Sequence, residues 1–160
     1  MKKLVLALLT ALLFIGCGSQ PVEATETKLV VDKNLSDLSL KDQNGNLHSI
    51  DKDTKKVVFA FSKNVGHSCN KFFATKGESY LKDNKIQFVA DLSKAPSIIR
   101  SMFILPGLKD FKHIVLIIDD EKVSANYKPA EHADKIVVVN LNNQKITSIK
   151  YLDSIEDLEN

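Results

Sequence analysis

Cysteine and histidine side chains carry most of the reactive chemistry available to this chain, which contains two cysteines and four histidines. Cys69 lies two residues after His67, and the pattern predicts that Ser68 caps a helix running over about 69–81. A helix N-terminus and a neighbouring imidazole both favour the thiolate form of a cysteine. We therefore interpret Cys69 as a candidate nucleophile and His67 as the residue that assists it.

The same thiol has two other interpretations. Cys69 can face inward beside Phe72 and Phe73, where a cysteine acts as a small buried apolar group. Together with His67 and His113 it also supplies sulfur and imidazole ligands that suit Cu(I) or zinc, although the three lack paired spacing. Paired catalytic carboxylates, a G-x-S-x-G elbow, a phosphate-binding loop and an H-E-x-x-H motif are absent from the sequence. We expect neither hydrolase nor nucleotide chemistry, and no cofactor.

The second cysteine, Cys17, belongs to a targeting motif. Lys2 and Lys3 precede an apolar run over 4–15, which is too short to span a bilayer and is typical of a secretory signal peptide. Its end, LFIGC, resembles the lipobox of bacterial lipoproteins, which implies cleavage after Gly16 and acylation of Cys17. If Cys17 is acylated, Cys69 is the only free thiol, so no internal disulfide can form.

This motif predicts the organisation and location of the protein. Residues 1–16 are expected to be the signal peptide, 17–34 the lipidated N-terminus and flexible tether, and 35–160 the folded domain. The anchor places the protein in the bacterial cell envelope, held to a membrane and facing the periplasm or the exterior. The formal net charge of +2 equals the contribution of Lys2 and Lys3, so the rest of the chain is neutral. A neutral domain lacks the basic face that nucleic-acid binding needs.

Strand and helix patterns alternate along the remaining chain and predict an α/β domain with a mixed sheet. Asn-Gly at 44–45 predicts a hairpin turn, and Pro96 is expected to begin a short helix. Four apolar residues of that helix are expected to face inward, namely Ile98, Ile99, Met102 and Phe103. The predicted strands cover 38–40, 47–50, 57–61, 86–90, 114–118, 136–141 and 146–151, with a terminal helix at 154–158.

The run KKVVFAFSKNVGHSCNKFF, preceded by the hairpin DQNGNLHSI, resembles the thioredoxin and peroxiredoxin superfamily. This resemblance implies a three-layer α/β/α sandwich around a mixed central sheet. In the W-C-G-P-C turn of thioredoxins, the first cysteine corresponds to Gly66 and the second to Cys69. In the T-x-x-C turn of peroxiredoxins, Gly66 replaces the threonine and Cys69 is the peroxidatic position. In the C-x-x-x-C motif of the Sco copper-handling family, Val65 replaces the first cysteine, while Cys69 and a histidine, His113, are present.

Three functional hypotheses follow from these residues. The leading one is a single-cysteine thiol redox site at Cys69, assisted by His67, with a thiol or disulfide of an envelope protein as partner. The second is a non-catalytic binding module that uses the same face for an envelope protein. The third is copper or zinc handling through Cys69, His67 and His113.

Overall fold

The computed structural model describes residues 27–159; the predicted signal peptide and Cys17 lie outside this range. Seven strands form one sheet: β1 (Ser39–Asp42), β2 (Leu47–Ser49), β3 (Lys56–Ala60), β4 (Ile86–Asp91), β5 (Leu116–Ile118), β6 (Ile136–Asn142) and β7 (Lys145–Leu152). The helices are α1 (Lys63–Lys76), α2 (Tyr80–Asp83), α3 (97–108) and α4 (Glu121–Tyr127), followed by a 3-10 helix, Ile155–Glu159. Helix α3 consists of three consecutive pieces, of which the middle one, Arg100–Ile104, is π-helical.

The sheet is mixed, with the strand order β2-β1-β5-β4-β3-β6-β7. Its centre consists of β3, β4 and β5, which run parallel, while β6 is antiparallel to β3 and β7 to β6. Strand β3 is buried on both faces, with Val57, Val58 and Phe59 all 0% exposed. This burial explains why its sequence is a continuous apolar run instead of an alternating one. The predicted mixed sheet and central strands are confirmed.

Each face of the sheet is covered by its own apolar core, so the domain has three layers. One core contains Phe59 and Tyr127 and lies under α4 and the chain before β1. The other contains Phe73, Phe88 and Leu108 and lies under α1, α2, α3 and the 3-10 helix. No helix within residues 27–159 is both long and apolar enough to cross a membrane.

The folded domain begins before residue 35. Leu29 is 4% exposed and belongs to the core that contains Phe59. The backbone N–H of Lys28 donates to the carbonyl of Asn126 in α4 at 2.6 Å. The prediction of a tether up to residue 34 is therefore wrong, because residues 28–34 already make contacts within the domain.

Both predicted hairpins are confirmed by their turn geometry. Gly45, between β1 and β2, has a φ of +88°. Asn143 and Gln144, between β6 and β7, have φ values of +49° and +66°. The turn between β6 and β7 thus has the two consecutive residues with positive φ that a type I′ turn requires, and the twist of such a turn matches that of the strands it joins.

Helix α1 begins earlier than the sequence pattern predicted. Its N-cap is Ser62, whose Oγ accepts a hydrogen bond from the N–H of Val65 at 3.4 Å, so the prediction of Ser68 as the cap is wrong. Ser62 is extended, because the chain turns into the helix almost directly from β3. Gly66 lies inside the helix, where glycine costs about 1 kcal/mol relative to alanine. Burial of Cys69, Phe72 and Phe73 on the inner face offsets this cost.

The residues of helix α3 that face the core are not the predicted ones. Ile98, Met102 and Phe103 are 66%, 63% and 65% exposed, and Ile99 is 43% exposed, so the prediction that these four face inward is wrong. The buried side carries Leu108, with Ile104 and Leu105 partly buried against the same core. Helix α3 has apolar residues on nearly every side, and helical periodicity alone therefore does not select the inner face.

Candidate functional site

A cleft of about 800 Å³ opens at the carboxyl ends of β3 and β4, between the N-terminal half of α1 and helix α3. This is the sheet edge at which open α/β folds place their ligand sites, and the volume lies within the range of such sites. Its lining is mainly apolar and comprises Ala60, Phe61, Ser62, Lys63, Gly66, His67, Asn70, Ala90, Asp91, Leu92, Lys94, Ala95, Ile99, Phe103, Ile104, Gly107, Leu108 and Phe111.

Cys69 does not reach this cleft. It is the seventh residue of α1, 0% exposed, and packed in the same core as Phe72 and Phe73. Burial raises the pKa of its thiol to about 12. The expected thiolate at a helix N-terminus is therefore wrong, because Cys69 lies nearly two turns inside the helix, where the dipole of the first turn no longer acts. Its position is that of the second interpretation, a small buried apolar group.

His67 and Gly66 lie on the wall of the cleft instead. His67 is exposed, so the structure separates it from the buried thiol that it was predicted to assist. Gly66, which the sequence resemblance aligned with the first thioredoxin cysteine, is the fourth residue of α1, and a Cβ atom built on it meets no atom within 4 Å. A side chain at position 66 would thus project into open space in the cleft.

His113 is buried beside a polar side chain that the sequence interpretation did not identify. It is 3% exposed, and its Nε2 lies 3.0 Å from Oδ1 of Asn70. The amide nitrogen of Asn70 donates to the carbonyl of Gly66, which leaves the amide oxygen to accept a hydrogen bond from Nε2 of His113. Burial lowers the pKa of His113, which favours a neutral ring. His113 therefore connects the segment before β5 to α1 as a structural hydrogen-bond donor.

The predicted metal ligands do not converge. Cys69 is in the core, His67 is on the cleft wall, and His113 is bonded to Asn70. Within residues 27–159, no group of three or more His, Cys, Asp or Glu side chains has an arrangement that could hold a metal ion. The predicted copper or zinc constellation is therefore not assembled in this structure.

Arg100 fixes helix α3 on its side of the cleft. Its Nη1 donates to the carbonyls of Leu92, Ser93 and Asp119, at 3.2, 3.4 and 2.8 Å, at the carboxyl ends of β4 and β5. Nη1 has two N–H groups, so one of them is shared between two of these carbonyls, and together the contacts restrict how α3 is rotated and which apolar residues line the cleft. Arg100 is the only arginine in the chain, a signal from which the sequence interpretation drew no prediction.

Comparison with known proteins finds similarity at the level of structure. No protein-family model matches the chain, and no curated protein matches it. The thioredoxin domain of a thiol-disulfide oxidoreductase from Bacteroides vulgatus matches with a TM-score of 0.52 at 15% identity, over 82% of this chain and 96% of that chain. The exposed lipoprotein thioredoxin of Streptococcus pneumoniae matches with a TM-score of 0.51 at 14% identity, over 75% and 92%.

A peroxiredoxin-like protein from Aquifex aeolicus also matches, with a TM-score of 0.50 at 10% identity, over 82% of this chain and 81% of that chain. Identities this low carry information about architecture and none about activity. The domain has a thioredoxin-like α/β fold.

Proposed function

We propose that this protein is a membrane-anchored binding module of the bacterial cell envelope, whose cleft receives an apolar segment of a protein partner, and that Cys69 performs no redox chemistry. The observation that carries the proposal is the separation of the thiol from the cleft. Cys69 is 0% exposed in the core, and the part of α1 that lines the cleft carries Gly66 and His67, neither of which has a thiol.

The chemistry of the cleft supports a partner segment with apolar side chains. Three phenylalanines, Phe61, Phe103 and Phe111, contribute to the lining. Lys63 and Lys94 lie at the rim, and among residues 27–159 no carboxylate pairs with Lys63. The lining carboxylate, Asp91, already accepts hydrogen bonds from Ser93 and Ser124. Lys94 pairs with Glu121 at 3.3 Å, so Lys63 and Asp91 are left as one positive and one negative charge in the lining.

The anchoring part of the proposal rests on the sequence at Cys17. The LFIGC motif after a short apolar run supports acylation of this cysteine, and two or three acyl chains hold a protein stably on a membrane. We expect the protein to fractionate with membranes and Cys17→Ser to release it. Mass spectrometry of the N-terminal peptide detects acylation directly. An unmodified Cys17 in the membrane fraction would contradict the proposed lipid anchor.

Photo-crosslinking in cells tests the cleft. The full chain carries a photoreactive amino acid at position 67 on the cleft wall or, as a control, at the exposed Lys150 on β7. We expect a discrete cross-linked protein from position 67 and none from position 150. Gly66→Phe, which fills the cleft, should abolish this product, whereas Gly66→Ala should retain it. A product that survives Gly66→Phe would contradict binding in the cleft.

A single-cysteine redox role for Cys69 and His67 is the second candidate. It is supported by the fold that the chain shares with a thiol-disulfide oxidoreductase domain and a lipoprotein thioredoxin. This role requires α1 to open locally, because the thiol in the described conformation has no access to solvent. A mixed disulfide that is reversed by a reducing agent and lost in Cys69→Ser would favour it over the binding module.

A further inference from the structure

Helix α3 presents an apolar surface to solvent outside the cleft. Ile98, Met102 and Phe103 form this surface, here named the apolar ridge, and each is more than 60% exposed. Residues 98 and 102 lie on the same side of the helix, one turn apart, with Phe103 beside them. Phe103 also lines the cleft, so the ridge and the cleft are adjacent. Three large apolar side chains in one exposed cluster mark an interaction surface.

Basic side chains flank the apolar ridge. Lys94 precedes α3, and Lys109 and Lys112 follow it; all three are exposed. Asp110 is the single acidic residue between positions 92 and 118. A helix with exposed apolar residues and neighbouring lysines is typical of segments that lie in the interface of an anionic bilayer. Lys94 is paired with Glu121 at 3.3 Å, whereas no ion pair within residues 27–159 involves Lys109 or Lys112, so these two carry the free positive charge after the ridge.

The described chain begins at the same edge of the sheet as the ridge. Thr27 and Lys28 both bond to the carbonyl of Asn126 near the end of α4. Close to that point, Nζ of Lys128 lies 3.5 Å from the carbonyl oxygen of Phe61, a residue of the cleft. Ten peptide steps separate Cys17 from Thr27 and span at most about 35 Å. An anchor at Cys17 therefore keeps this edge within about 35 Å of the membrane, so the ridge can reach it.

We propose that the apolar ridge docks on an anionic bilayer surface, with its three apolar side chains inserted between lipid headgroups and the flanking lysines at the level of the phosphates. The proposal rests on the anchoring part of the proposed function. Because the anchor restricts the domain to a thin layer above the membrane, a ridge of weak intrinsic affinity is bound for much of the time. Docking brings the mouth of the cleft beside the bilayer, where a membrane-associated partner can reach it.

The absence of tryptophan from the chain makes a direct test available. The protein used for this test begins at residue 17 and carries Cys17→Ser. This change removes the site of acylation and retains every residue of both cores. Met102→Trp places a fluorescent reporter on the ridge, and Tyr151→Trp places one on β7 as the matched control. We expect vesicles containing phosphatidylglycerol to shift the emission of Trp at position 102 to the blue and to leave the control unchanged. Added salt should weaken the effect.

A second set of variants separates the alternatives. Ile98→Ser with Phe103→Ser, in the Met102→Trp background, should lower the partition coefficient at least about tenfold. No shift on anionic vesicles, or equal shifts at positions 102 and 151, would overturn the proposal. A blue shift that appears without vesicles and follows dimerisation in sedimentation would also overturn it, because the ridge would then join two copies of the chain. Acylation of Cys17 is measured in a separate experiment, by the mass of the N-terminal peptide. Absence of the lipid anchor and absence of membrane binding by the ridge are therefore distinguishable.

Discussion

Native-state alkylation of Cys69 measures how firmly the core encloses the only cysteine within residues 27–159. The protein starts at residue 17 and carries Cys17→Ser, so that Cys69 is the single thiol in the reaction. Two independent physical barriers oppose the reaction, because the thiol is both hard to ionise and inaccessible to the reagent. The size of the first barrier follows from the pKa of the thiol, and that of the second from the typical free energy of local opening in a protein core.

The first barrier is ionisation. With a pKa of about 12, Cys69 is a thiolate in about one molecule in ten thousand at pH 8. An unperturbed cysteine with a pKa of ~8.5 is a thiolate in about one molecule in four, which makes the native thiol roughly 2,000-fold less reactive. The second barrier is access, because Cys69 is 0% exposed. If the reaction instead proceeds through a local opening that costs about 5 kcal/mol, that opening alone slows it by roughly 5,000-fold.

Either route therefore predicts a native rate at least about a thousandfold below that of the unfolded chain. The assay follows iodoacetamide addition by mass spectrometry over a range of pH, with the same protein in guanidinium chloride as the reference. The double variant Gly66→Cys and Cys69→Ala is the matched control, because its thiol lies on the open wall of the cleft, and it should react at nearly the unfolded rate. A wild-type rate within tenfold of the reference, with an apparent pKa below ~8.5, would refute the reasoning and favour the redox role.

Three further predictions concern the residues that support the site. Gly66→Ala should raise the free energy of unfolding by about 0.5–1 kcal/mol, since the residue is helical and its Cβ has open space; destabilisation in chemical denaturation would show that the space is occupied. Asn70→Ala should lower the free energy of unfolding by about 1–3 kcal/mol in the same assay, because it leaves Nε2 of the buried His113 without its partner. An unchanged denaturation midpoint would show that the bond contributes nothing. Burial of Asp42 opposes its ionisation, but hydrogen bonds from His48 and from residue 46 outweigh this and lower its pKa to about 2. The stability that Asp42 contributes is therefore present above pH ~4 and lost as the pH falls through about 2. Asp42→Asn should lower the free energy of unfolding by about 2 kcal/mol at neutral pH and by progressively less in acid. A difference that does not change with pH would contradict this assignment.

The strands and turns were predictable because their signals are local. A continuous apolar run identifies β3 as a strand buried on both faces, and Asn-Gly at 44–45 identifies the first hairpin. The order of these elements was enough to predict the thioredoxin-like fold. The start of α1 was missed because Ser62 and Ser68 are both good capping residues. The short connection from β3 decides between them, and this is a property of the assembled sheet.

Local sequence patterns predicted the strands, their order and the thioredoxin-like architecture, and the signal-peptide and Cys17 predictions, which lie outside the described residues, also come from such patterns. The depth of Cys69, the rotation of α3 and the shape of the cleft were decided by the tertiary structure alone. Each depends on contacts between residues that are distant in the chain, such as the bond between Asn70 and His113 and those from Arg100 to the ends of two strands. Helical periodicity shows that a helix has an apolar side, but only the packing of neighbouring elements determines which residues are covered and which face solvent.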